Sequence, residues 1–589
     1  MKGNEMAYFL KKTKNKKGTY LQIYESFYDP IRKHTAHKSY KAIGYVEELK
    51  KKGYLDPESY FKEEVTNINE KRKLKIEQAK NIKEIGDESP EKNLGYFLIK
   101  AVDKTLNVDR DLRYLDMMTT FKFSLPNLLH CLVYARFIQP ASKHRTFHDV
   151  LPKLSEEVSF SSSQLYSGLE FLGENYEKVI EVYNRLINEK FTRNTAKSYF
   201  DCTNFYFEID KEDDFRRKGP SKENKKDPIV GMGLLLDENQ IPIGMKMYPG
   251  NESEKPKMKQ IIDELKEQYN ISDRTIRVAD KGLNCADNVV SALLDGDGYI
   301  FSKSIKQIPQ IDKDWVFDEQ SFKCVYDKAG RLRYKFKSVI DEFDYQITDE
   351  KNKKKKVSIK EKRVVTYNPA LAKKQLHEIN KMISKSRGLC LSQAKKAEFG
   401  ECAKFVTFSS KNRSDKVVAS LNYDAIDKAR MSAGYNMLVT SEIDMRETEI
   451  YDAYHNLWRI EESFKIMKSD LDARPVYLQK ESTITGHFLV CYIAVLLLRL
   501  LQFKILDNQF SSGEIINFIK TFNVVKTFST CNINLLKKSD FASSIQQYTY
   551  LPIKHFYLKE TSKKSILGYK FTEKYKVDKH KKNINMKIR

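Results

Sequence analysis

The order of strand-like and helix-like segments between residues 197 and 305 constrains the fold more than any other feature of the chain. A strand is predicted for KSYFDCTNFYFEID, which is rich in β-branched and aromatic residues. A hairpin with a tight polar turn is predicted for VGMGLLLDENQIPIGMKMYPGN. An amphipathic helix follows in PKMKQIIDELKEQYN, and then a strand, a helix and a strand in RTIRVAD, CADNVVSALLDG and YIFSKSI. The predicted order is therefore β-β-β-α-β-α-β.

This order indicates an α/β fold, in which helices flank a mixed sheet in a ribonuclease-H-like core. The regular pattern ends after Ile305, and residues 306–432 are interpreted as a β-rich insertion with short charged strands and a helix near 370–395. A strand from Tyr435 is predicted to return to the core, followed by a long helix from near Arg446 past Lys468. The predicted core thus has two parts, 196–305 and 433–510.

Three further regions flank this core. Residues 1–60 are predicted to form a small β-rich unit, because two strand-like runs surround a Lys-Asn-Lys-Lys-Gly turn. Residues 61–195 are predicted to be helical, and this region is a candidate for DNA-end binding or dimerisation, with a plain scaffold as the alternative. Residues 511–589 form a basic C-terminal region whose last residues are expected to fray.

Charge and cysteine content narrow the function classes. The chain has 104 Lys and Arg against 80 Asp and Glu, a net charge of +24 that attracts polyanions such as nucleic acid, although lysine-rich coding bias is an alternative cause. None of the eight cysteines forms a C-x-x-C pair, which argues against a zinc ribbon and suits a reducing cytoplasm.

One apolar run, from Phe488 to Phe503, has the composition of a membrane segment. It is 16 residues long and contains Arg499, so it is short for a membrane span. A buried core helix is the better interpretation. We therefore expect no membrane partner and a cytoplasmic protein.

Two aspartates stand where predicted strands could place them in a site. Asp280 ends the strand RVAD and precedes a Lys-Gly turn, a position that suits either a site at the carboxyl end of a strand or a helix N-cap. Asp201 lies among aromatic residues in the first strand, where a carboxylate is costly to bury unless it caps the strand end or a cation neutralises it.

A glutamate on the predicted long helix is the third candidate. Tyr454, Glu461 and Lys468 are seven residues apart, which places them on one face of a continuous helix. An exposed polar stripe is the alternative. The neighbours of Glu461 are apolar, however, which indicates a glutamate in an apolar setting and hence a functional group. Glu462, about 100° away around the helix, is predicted to face solvent.

These residues resemble the bacterial insertion-sequence DDE transposases that carry a tyrosine–arginine–glutamate–lysine signature. The signature is matched by Tyr454-x-x-Leu457-x-x-x-Glu461-x-x-x-x-x-x-Lys468. The resemblance spans residues 197–478 and keeps the order of the family in these further segments: Asp201-Cys-Thr-Asn, Gly219-Pro-Ser-Lys-Glu, Gly231-Met-Gly-Leu-Leu-Leu-Asp, Pro249-Gly-Asn-Glu-Ser-Glu254, Ala279-Asp280-Lys-Gly-Leu, Trp458-Arg459-Ile460-Glu461 and Arg474-Pro475-Val476.

The resemblance implies a transposase that cuts DNA at the ends of an insertion sequence and joins those ends to target DNA. It implies that Asp201, Asp280 and Glu461 hold two Mg²⁺ ions, for which Mn²⁺ can substitute, so that water and then the freed 3′-hydroxyl attack a phosphodiester. It implies a homodimer on paired DNA ends in the bacterial cytoplasm, associated with the nucleoid. The DNA contacts that it implies are made by Tyr454, Lys468, Arg459, Arg474, Lys281 and Lys222.

Leu457 departs from the signature, since an arginine is expected there to contact phosphate. Trp315 in the insertion could stack on an unpaired base, but an aromatic residue of that kind more often serves as core mass. Two other functions stay open from sequence: a non-catalytic DNA-binding inhibitor derived from a transposase, and a ribonuclease-H-like nuclease without joining activity.

Overall fold

The computed structural model describes residues 7–29, 34–81, 90–191, 193–220, 226–269, 274–348, 353–392, 394–408, 419–527 and 531–571. The chain divides into two compact units, Met1–Ser89 and Pro90–Arg589.

The first unit is a three-stranded antiparallel sheet with two helices. Its elements are β1 (Tyr8–Asn15), β2 (Gly18–Asp29), β3 (His34–Tyr45), α1 (Val46–Lys51) and α2 (Pro57–Asn81). Gly18 opens β2 at φ 118°, a conformation that an L side chain would strain. The predicted β-rich start is confirmed, and the predicted boundary after residue 60 falls within α2.

The second unit begins with a short strand and a helical region. Its elements are β4 (Glu91–Asn93), α3 (Phe97–Leu106), α4 (Val108–Met117), α5 (Leu125–Ile138), α6 (Lys143–Arg145), α7 (Ser162–Glu174) and α8 (Tyr176–Phe191), with a π-helix at Thr146–Val150 and a 3₁₀ turn at Leu151–Lys153. Ser161 caps α7 by accepting from the Gln164 N–H, while the Gln164 side chain accepts from the Ser161 N–H. The helical prediction for this region is confirmed.

The sheet that follows has the predicted element order. Its first elements are β5 (Lys197–Tyr206), β6 (Ile229–Leu236), β7 (Pro242–Pro249), α9 (Glu254–Gln268), β8 (Ile276–Ala279), α10 (Ala286–Leu294) and β9 (Gly298–Lys303). β5, β8 and β9 are parallel neighbours, and β6 and β7 continue the sheet antiparallel on the other side of β5. A ribonuclease-H-like mixed sheet is therefore present.

The insertion adds strands to this same sheet. Its elements are a 3₁₀ turn at Ile305–Gln307, α11 (Gln310–Phe317), β10 (Lys323–Tyr326), β11 (Leu332–Thr348), β12 (Lys354–Tyr367), α12 (Pro369–Leu391), a 3₁₀ segment (Lys396–Phe405), β13 (Val406–Phe408), β14 (Ala419–Leu421) and α13 (Tyr423–Met431). β15 (Tyr435–Thr440) returns to the core as predicted and pairs with both β9 and β12. The sheet thereby reaches nine strands in the order β10-β11-β12-β15-β9-β8-β5-β6-β7. The expectation of short strands is wrong for β11 and β12, which are long and extend the core sheet.

Three helices after β15 complete the core. These are α14 (Glu447–His455), α15 (Trp458–Lys465) and α16 (Glu481–Leu500), with a π-helix at Ile466–Asp470 and another at Leu501–Ile505. Within the part of the chain that the structure describes, Glu481–Ile505 is the one helix whose length and composition would allow it to cross a membrane. Its apolar window is entirely buried in the protein, as predicted for a core helix.

In the C-terminal region the structure describes residues 511–527 and 531–571. This region contains α17 (Ser512–Thr521), β16 (Asn523–Lys526), β17 (Cys531–Asn534), α18 (Asp540–Thr549), β18 (Tyr557–Lys559) and α19 (Glu560–Gly568). β4 pairs with β16, which joins the start of the second unit to its end in a four-stranded sheet. The basic tail from residue 572, predicted to fray, lies outside the described residues.

Candidate active site

Asp201 and Asp280 come from neighbouring parallel strands. In the β5–β8 ladder Lys197 pairs with Ile276 and Tyr199 with Val278. The same register, continued by two residues, places Asp201 beside Asp280. Neighbouring strands are about 4.8 Å apart, so the two carboxylates are presented at one end of the sheet.

The two aspartates differ in their surroundings. Asp280 follows the last residue of β8 and is exposed, whereas Asp201 lies within β5 and is partly buried. One oxygen of Asp201 accepts a hydrogen bond from the backbone N–H of Cys202 at 2.8 Å. A cation held between two neighbouring carboxylates would offset their mutual repulsion.

Tyr454, on α14, is hydrogen-bonded to Asp280. The phenol O–H donates to Asp280 Oδ1 at 2.7 Å. Burial, and then the negative charge of Asp280, raise the pKa of Tyr454 above its ordinary value, which keeps the phenol protonated as a donor. Helix α14 packs against β8 and β9, and this packing brings Tyr454 to the strand end. The sequence suggested a phosphate contact for Tyr454, and the structure adds the contact with Asp280.

Glu461 lies on α15, which packs against β5, the strand of Asp201. The side chain is exposed, so the expectation of an apolar setting is wrong. The apolar neighbours on the helix do not enclose it, since Trp458 is half exposed and Leu457 and Phe464, although buried themselves, leave the Glu461 side chain exposed. Glu461 is therefore open to solvent and to any substrate that approaches α15.

Glu462, the next residue, faces the protein interior. Arg499 donates to Glu462 Oε2 at 3.0 Å, and the Ser512 hydroxyl donates to Oε1 at 3.1 Å. The prediction that Glu462 faces solvent is wrong. Of the two adjacent glutamates on α15, Glu461 thus points outward and Glu462 points inward.

Arg499 is fully buried within the apolar helix α16 and makes several contacts to α15. Besides Glu462, its guanidinium donates to Ser463 Oγ at 3.2 Å and to the Arg459 carbonyl at 3.3 Å, and it donates to Gln502 Oε1 at 2.8 Å. A buried charge is costly unless it is paired and hydrogen-bonded, and these partners meet that condition. Arg499 therefore fixes α15 against α16 and sets the direction of Glu461.

The helical segment that carries the signature is not one continuous α-helix. It begins after Arg446 as predicted, but α14 ends at His455 and α15 begins at Trp458, with a turn between them. A π-helix then spans Ile466–Asp470. A seven-residue spacing returns to one face only in a regular helix, so the helical periodicity on which the predicted single stripe was based does not hold over this segment.

Lys468 and Arg474, two predicted DNA-binding residues, lie over aromatic rings at the end of β5. Lys468 Nζ is 5.2 Å from the centroid of the Phe205 ring, and the Arg474 guanidinium carbon is 5.1 Å from that of Tyr206. Both cations therefore lie near the strand that carries Asp201.

The other predicted DNA-binding residues are dispersed. The Arg459 guanidinium carbon lies 4.5 Å from the Trp458 ring centroid and 4.7 Å from that of Phe503, and burial lowers its pKa. Lys281 is exposed directly after Asp280. Lys222 lies outside the described residues.

Two residues whose roles the sequence left open have structural roles. Leu457 is buried at the start of α15, so a phosphate contact by that side chain is ruled out in this structure. Trp315 packs on a small cluster around Val316, with Lys337 Nζ 5.1 Å from its ring centroid. Its role as core mass is confirmed.

The donor set is compatible in chemistry with Mg²⁺, which prefers carboxylate oxygens and retains several waters. The paired strand-end aspartates supply such oxygens, with Glu461 on the helix that packs beside them. Among the described residues, however, no group of three or more His, Cys, Asp and Glu residues converges closely enough to hold a metal ion. Asp201 and Asp280 thus form a candidate metal-binding pair, and Glu461 stands apart from it.

The roles of Glu462 and Arg499 were missed from the sequence. The one available signal was the arginine inside an otherwise apolar run, because a buried arginine requires an acceptor on a neighbouring element. The identity of that acceptor depends on the packing of α15 against α16.

Comparison with protein families identifies a region that holds most of these residues, although Asp201 and Arg499 lie just outside it. Residues 206–497 match the model of the transposase DDE domain. This region is therefore similar to the transposase DDE domain. The matched region contains Asp280 and Glu461 and begins at the end of β5, the strand of Asp201.

Among solved structures, the chain is similar to a piggyBac transposase, determined by cryo-EM in a synaptic complex with hairpin DNA. The TM-score is 0.34 at 8% sequence identity, and the alignment covers 72% of this chain and 78% of that one. A comparison with curated proteins gives no match.

Proposed function

We propose that this protein is the DNA transposase of a bacterial insertion sequence. The observation that carries the proposal is the pair of aspartates within β5 and directly after β8, since the region similar to the transposase DDE domain includes Asp280 and begins five residues after Asp201. The partial match to the tyrosine–arginine–glutamate–lysine signature, with Leu457 at the arginine position, supports the insertion-sequence branch.

In this proposal Asp201, Asp280 and Glu461 hold two Mg²⁺ ions, or Mn²⁺ ions in their place. When bound, such ions supply activation of the attacking oxygen and stabilisation of the leaving oxygen in phosphodiester chemistry. The Tyr454 hydroxyl orients one oxygen of Asp280 through the 2.7 Å hydrogen bond. Arg499 and Glu462 hold α15 so that Glu461 faces outward, and Lys468, Arg474 and Lys281 attract the DNA backbone.

The remaining parts of the proposal are the partners and the compartment. Substrates are the ends of the element and the target DNA, bound by a homodimer that pairs the two ends. The net charge of +24 supports association with DNA, and the protein would act in the cytoplasm at the nucleoid.

The experiment is incubation of the purified protein with a linear DNA fragment that carries the gene and its flanking sequence. Reactions contain Mg²⁺, Mn²⁺ or EDTA, together with a supercoiled plasmid as target. We expect metal-dependent breaks at two discrete positions flanking the gene, and joining of those ends to the plasmid. Breaks without joining would support a nuclease, and binding without breaks would support an inhibitor.

Two variants and a matched control identify the residues responsible. Asp201→Asn and Asp280→Asn keep the side-chain size and remove the charge. Asp287→Asn makes the same change at an exposed position in the first turn of α10. We expect the first two variants to lose cutting and the third to retain it, and equal activity in all three would contradict the assignment.

A further inference from the structure

A cavity of about 460 Å³ lies beside the candidate active site, and four lysines line it. Its walls come from the ends of β8, β9 and β15 on one side and from α12, α13 and the 3₁₀ segment before β13 on the other. The lysines are Lys281, Lys303, Lys306 and Lys404. We call this feature the lysine cavity.

The charge of the lysine cavity is strongly positive. Among the described residues that line it, Glu378 is the single acid, so four lysines face one carboxylate. Burial and the nearby Arg363 lower the pKa of Lys303, which shows the electrostatic cost of holding that one cation in its protonated form. An anion in the cavity would offset that cost. Lysine, as a compact point charge on a flexible stem, suits a phosphate group.

The lysine cavity is connected to the candidate active site through shared and adjacent residues. Lys281 directly follows Asp280 in the chain. Asn436, which also lines the cavity, accepts a hydrogen bond from the Ser302 hydroxyl at 2.9 Å, and both side chains lie close enough to Tyr454 to lower its pKa. Tyr454 in turn donates to Asp280. A phosphodiester at Asp280 would therefore lie next to the mouth of the cavity.

The rest of the lining is apolar and of a size that suits a sugar-phosphate unit. Ile379, Met382 and Phe405 contribute the apolar wall. A volume of 460 Å³ falls within the range of about 300–1,000 Å³ that is usual for small-ligand sites. The cavity thus combines an apolar wall with a positive rim, and the positive rim suits backbone phosphates of nucleic acid.

We propose that the lysine cavity binds the DNA backbone phosphates adjacent to the phosphodiester that reacts at Asp280. The insertion, through Lys404 and the helices α12 and α13, then acts as one wall of the DNA-binding surface. This inference rests on the proposed function for the identity of the reacting bond. The binding of DNA phosphate in the cavity does not depend on cutting.

The first test measures the salt dependence of DNA binding in EDTA, where no cutting occurs. The double variant Lys306→Gln/Lys404→Gln is compared with Lys373→Gln/Lys381→Gln, which removes two exposed lysines of α12 that do not line the cavity. Probes are a 30-base-pair duplex from the gene flank and an unrelated duplex of equal length. Each lost phosphate contact lowers the slope of log Kobs against log salt by about 0.9.

We expect the slope to fall by roughly 2 for the cavity variant and by less than roughly 0.3 for the control, given that increment per contact. A lower slope on both duplexes would show that the cavity binds DNA of any sequence, as target binding requires. A lower slope on the flank duplex alone would show that it binds the ends of the element. Equal slopes for the cavity variant and the control on both probes would overturn the proposal.

A second readout uses the unaltered protein. Lysines are acetylated with acetic anhydride, with and without the flank duplex, and the modified peptides are quantified by mass spectrometry. We expect DNA to reduce acetylation of Lys306 and Lys404 at least about threefold, with little change at Lys381, because counterion-releasing contacts cover the ammonium groups. Equal protection at all three positions would overturn the proposal. Protection without cutting in Mg²⁺ would leave the cavity site standing and refute the proposed function.

Discussion

The strand-end half and the helical half of the candidate active site are held in place by different physical means. Asp201 and Asp280 are adjacent because the parallel register of β5 and β8 makes them so. Glu461 takes its direction from side-chain contacts, chiefly those of Arg499 with Glu462 and with the α15 backbone. A single substitution should therefore change the structure of the strand-end half little. The structure of the helical half, in contrast, depends on one buried ion pair.

The first prediction concerns the strand-end half and has the largest expected effect. Asp280→Asn should lower the rate of DNA cutting on the order of 1,000-fold, because one anionic ligand of the reaction centre is lost. The unfolding midpoint should change little, since Asp280 is exposed beyond the end of β8. Cutting rates and thermal melts of the variant and of Asp287→Asn check this. A large drop in the midpoint would show that the strand end is not held by register alone.

The second prediction concerns the helical half. Arg499→Met should destabilise the protein by about 3–5 kcal/mol, because Glu462 is left largely buried without its partner. The double variant Arg499→Met/Glu462→Met removes both charges and should recover much of that loss. Denaturant unfolding measures both. The single variant Glu462→Met completes the set. If the destabilisations of the two single variants add up to that of the double variant, the ion pair does not hold α15.

The third prediction tests the link between the two halves. Tyr454→Phe removes the hydrogen bond to Asp280, and a bond to a charged group contributes about 1.5–3 kcal/mol, so cutting should slow roughly 10-fold or more. The Kd for end DNA should stay the same. A raised Kd with an unchanged cutting rate would instead show that Tyr454 contacts DNA phosphate and does not orient Asp280.

The fourth and smallest effect concerns the start of α14. Although burial raises the pKa of Glu447, hydrogen bonds from its own N–H, from Lys362 and from Ser338 lower it to about 2. A lowered carboxyl pKa contributes stability that is complete above the unfolded value of about 4.5 and is lost as the pH falls towards 2. Glu447→Gln should therefore cost about 1 kcal/mol at pH 7, since the pair is partly exposed.

Unfolding measured at pH 7, 5 and 3 checks this fourth prediction. The difference between the wild type and Glu447→Gln should be equal at pH 7 and 5 and smaller at pH 3. A difference that does not change with pH would show that the Lys362 and Ser338 contacts do not stabilise the carboxylate.

The comparison of the two halves also explains which parts of the molecule were predictable. The order from β5 to β9 follows from local patterns, namely period-two strands and one amphipathic helix. These patterns predict that Asp280 ends a strand and that Asp201 lies in the first strand. The order alone does not give the register between β5 and β8, which depends on the assembled sheet. The adjacency of the two aspartates was therefore an expectation from family resemblance, and the ladder supplies its geometric basis.

The helical half was less predictable, for a physical reason. A face calculated at 100° per residue assumes a regular helix, and the turn at Asn456–Leu457 and the π-helix at Ile466–Asp470 break that regularity. Which of Glu461 and Glu462 faces outward depends on Arg499, 37 residues further along the chain. The lengths of β11 and β12 were underestimated for a similar reason. Their many charged residues indicated short strands, whereas the two strands pair with each other and β12 pairs with β15 of the core sheet.

The measurement that tests the central claim most directly compares Glu461→Gln with Glu462→Gln. Both variants carry the same chemical change at adjacent positions of α15, and both are assayed for cutting of the gene-flank DNA in Mg²⁺ and for thermal unfolding. We predict that Glu461→Gln abolishes cutting with an unchanged midpoint, while Glu462→Gln lowers the midpoint and retains measurable cutting. Normal cutting by Glu461→Gln, or loss of cutting by Glu462→Gln with an unchanged midpoint, would contradict the assignment of Glu461 to the active site.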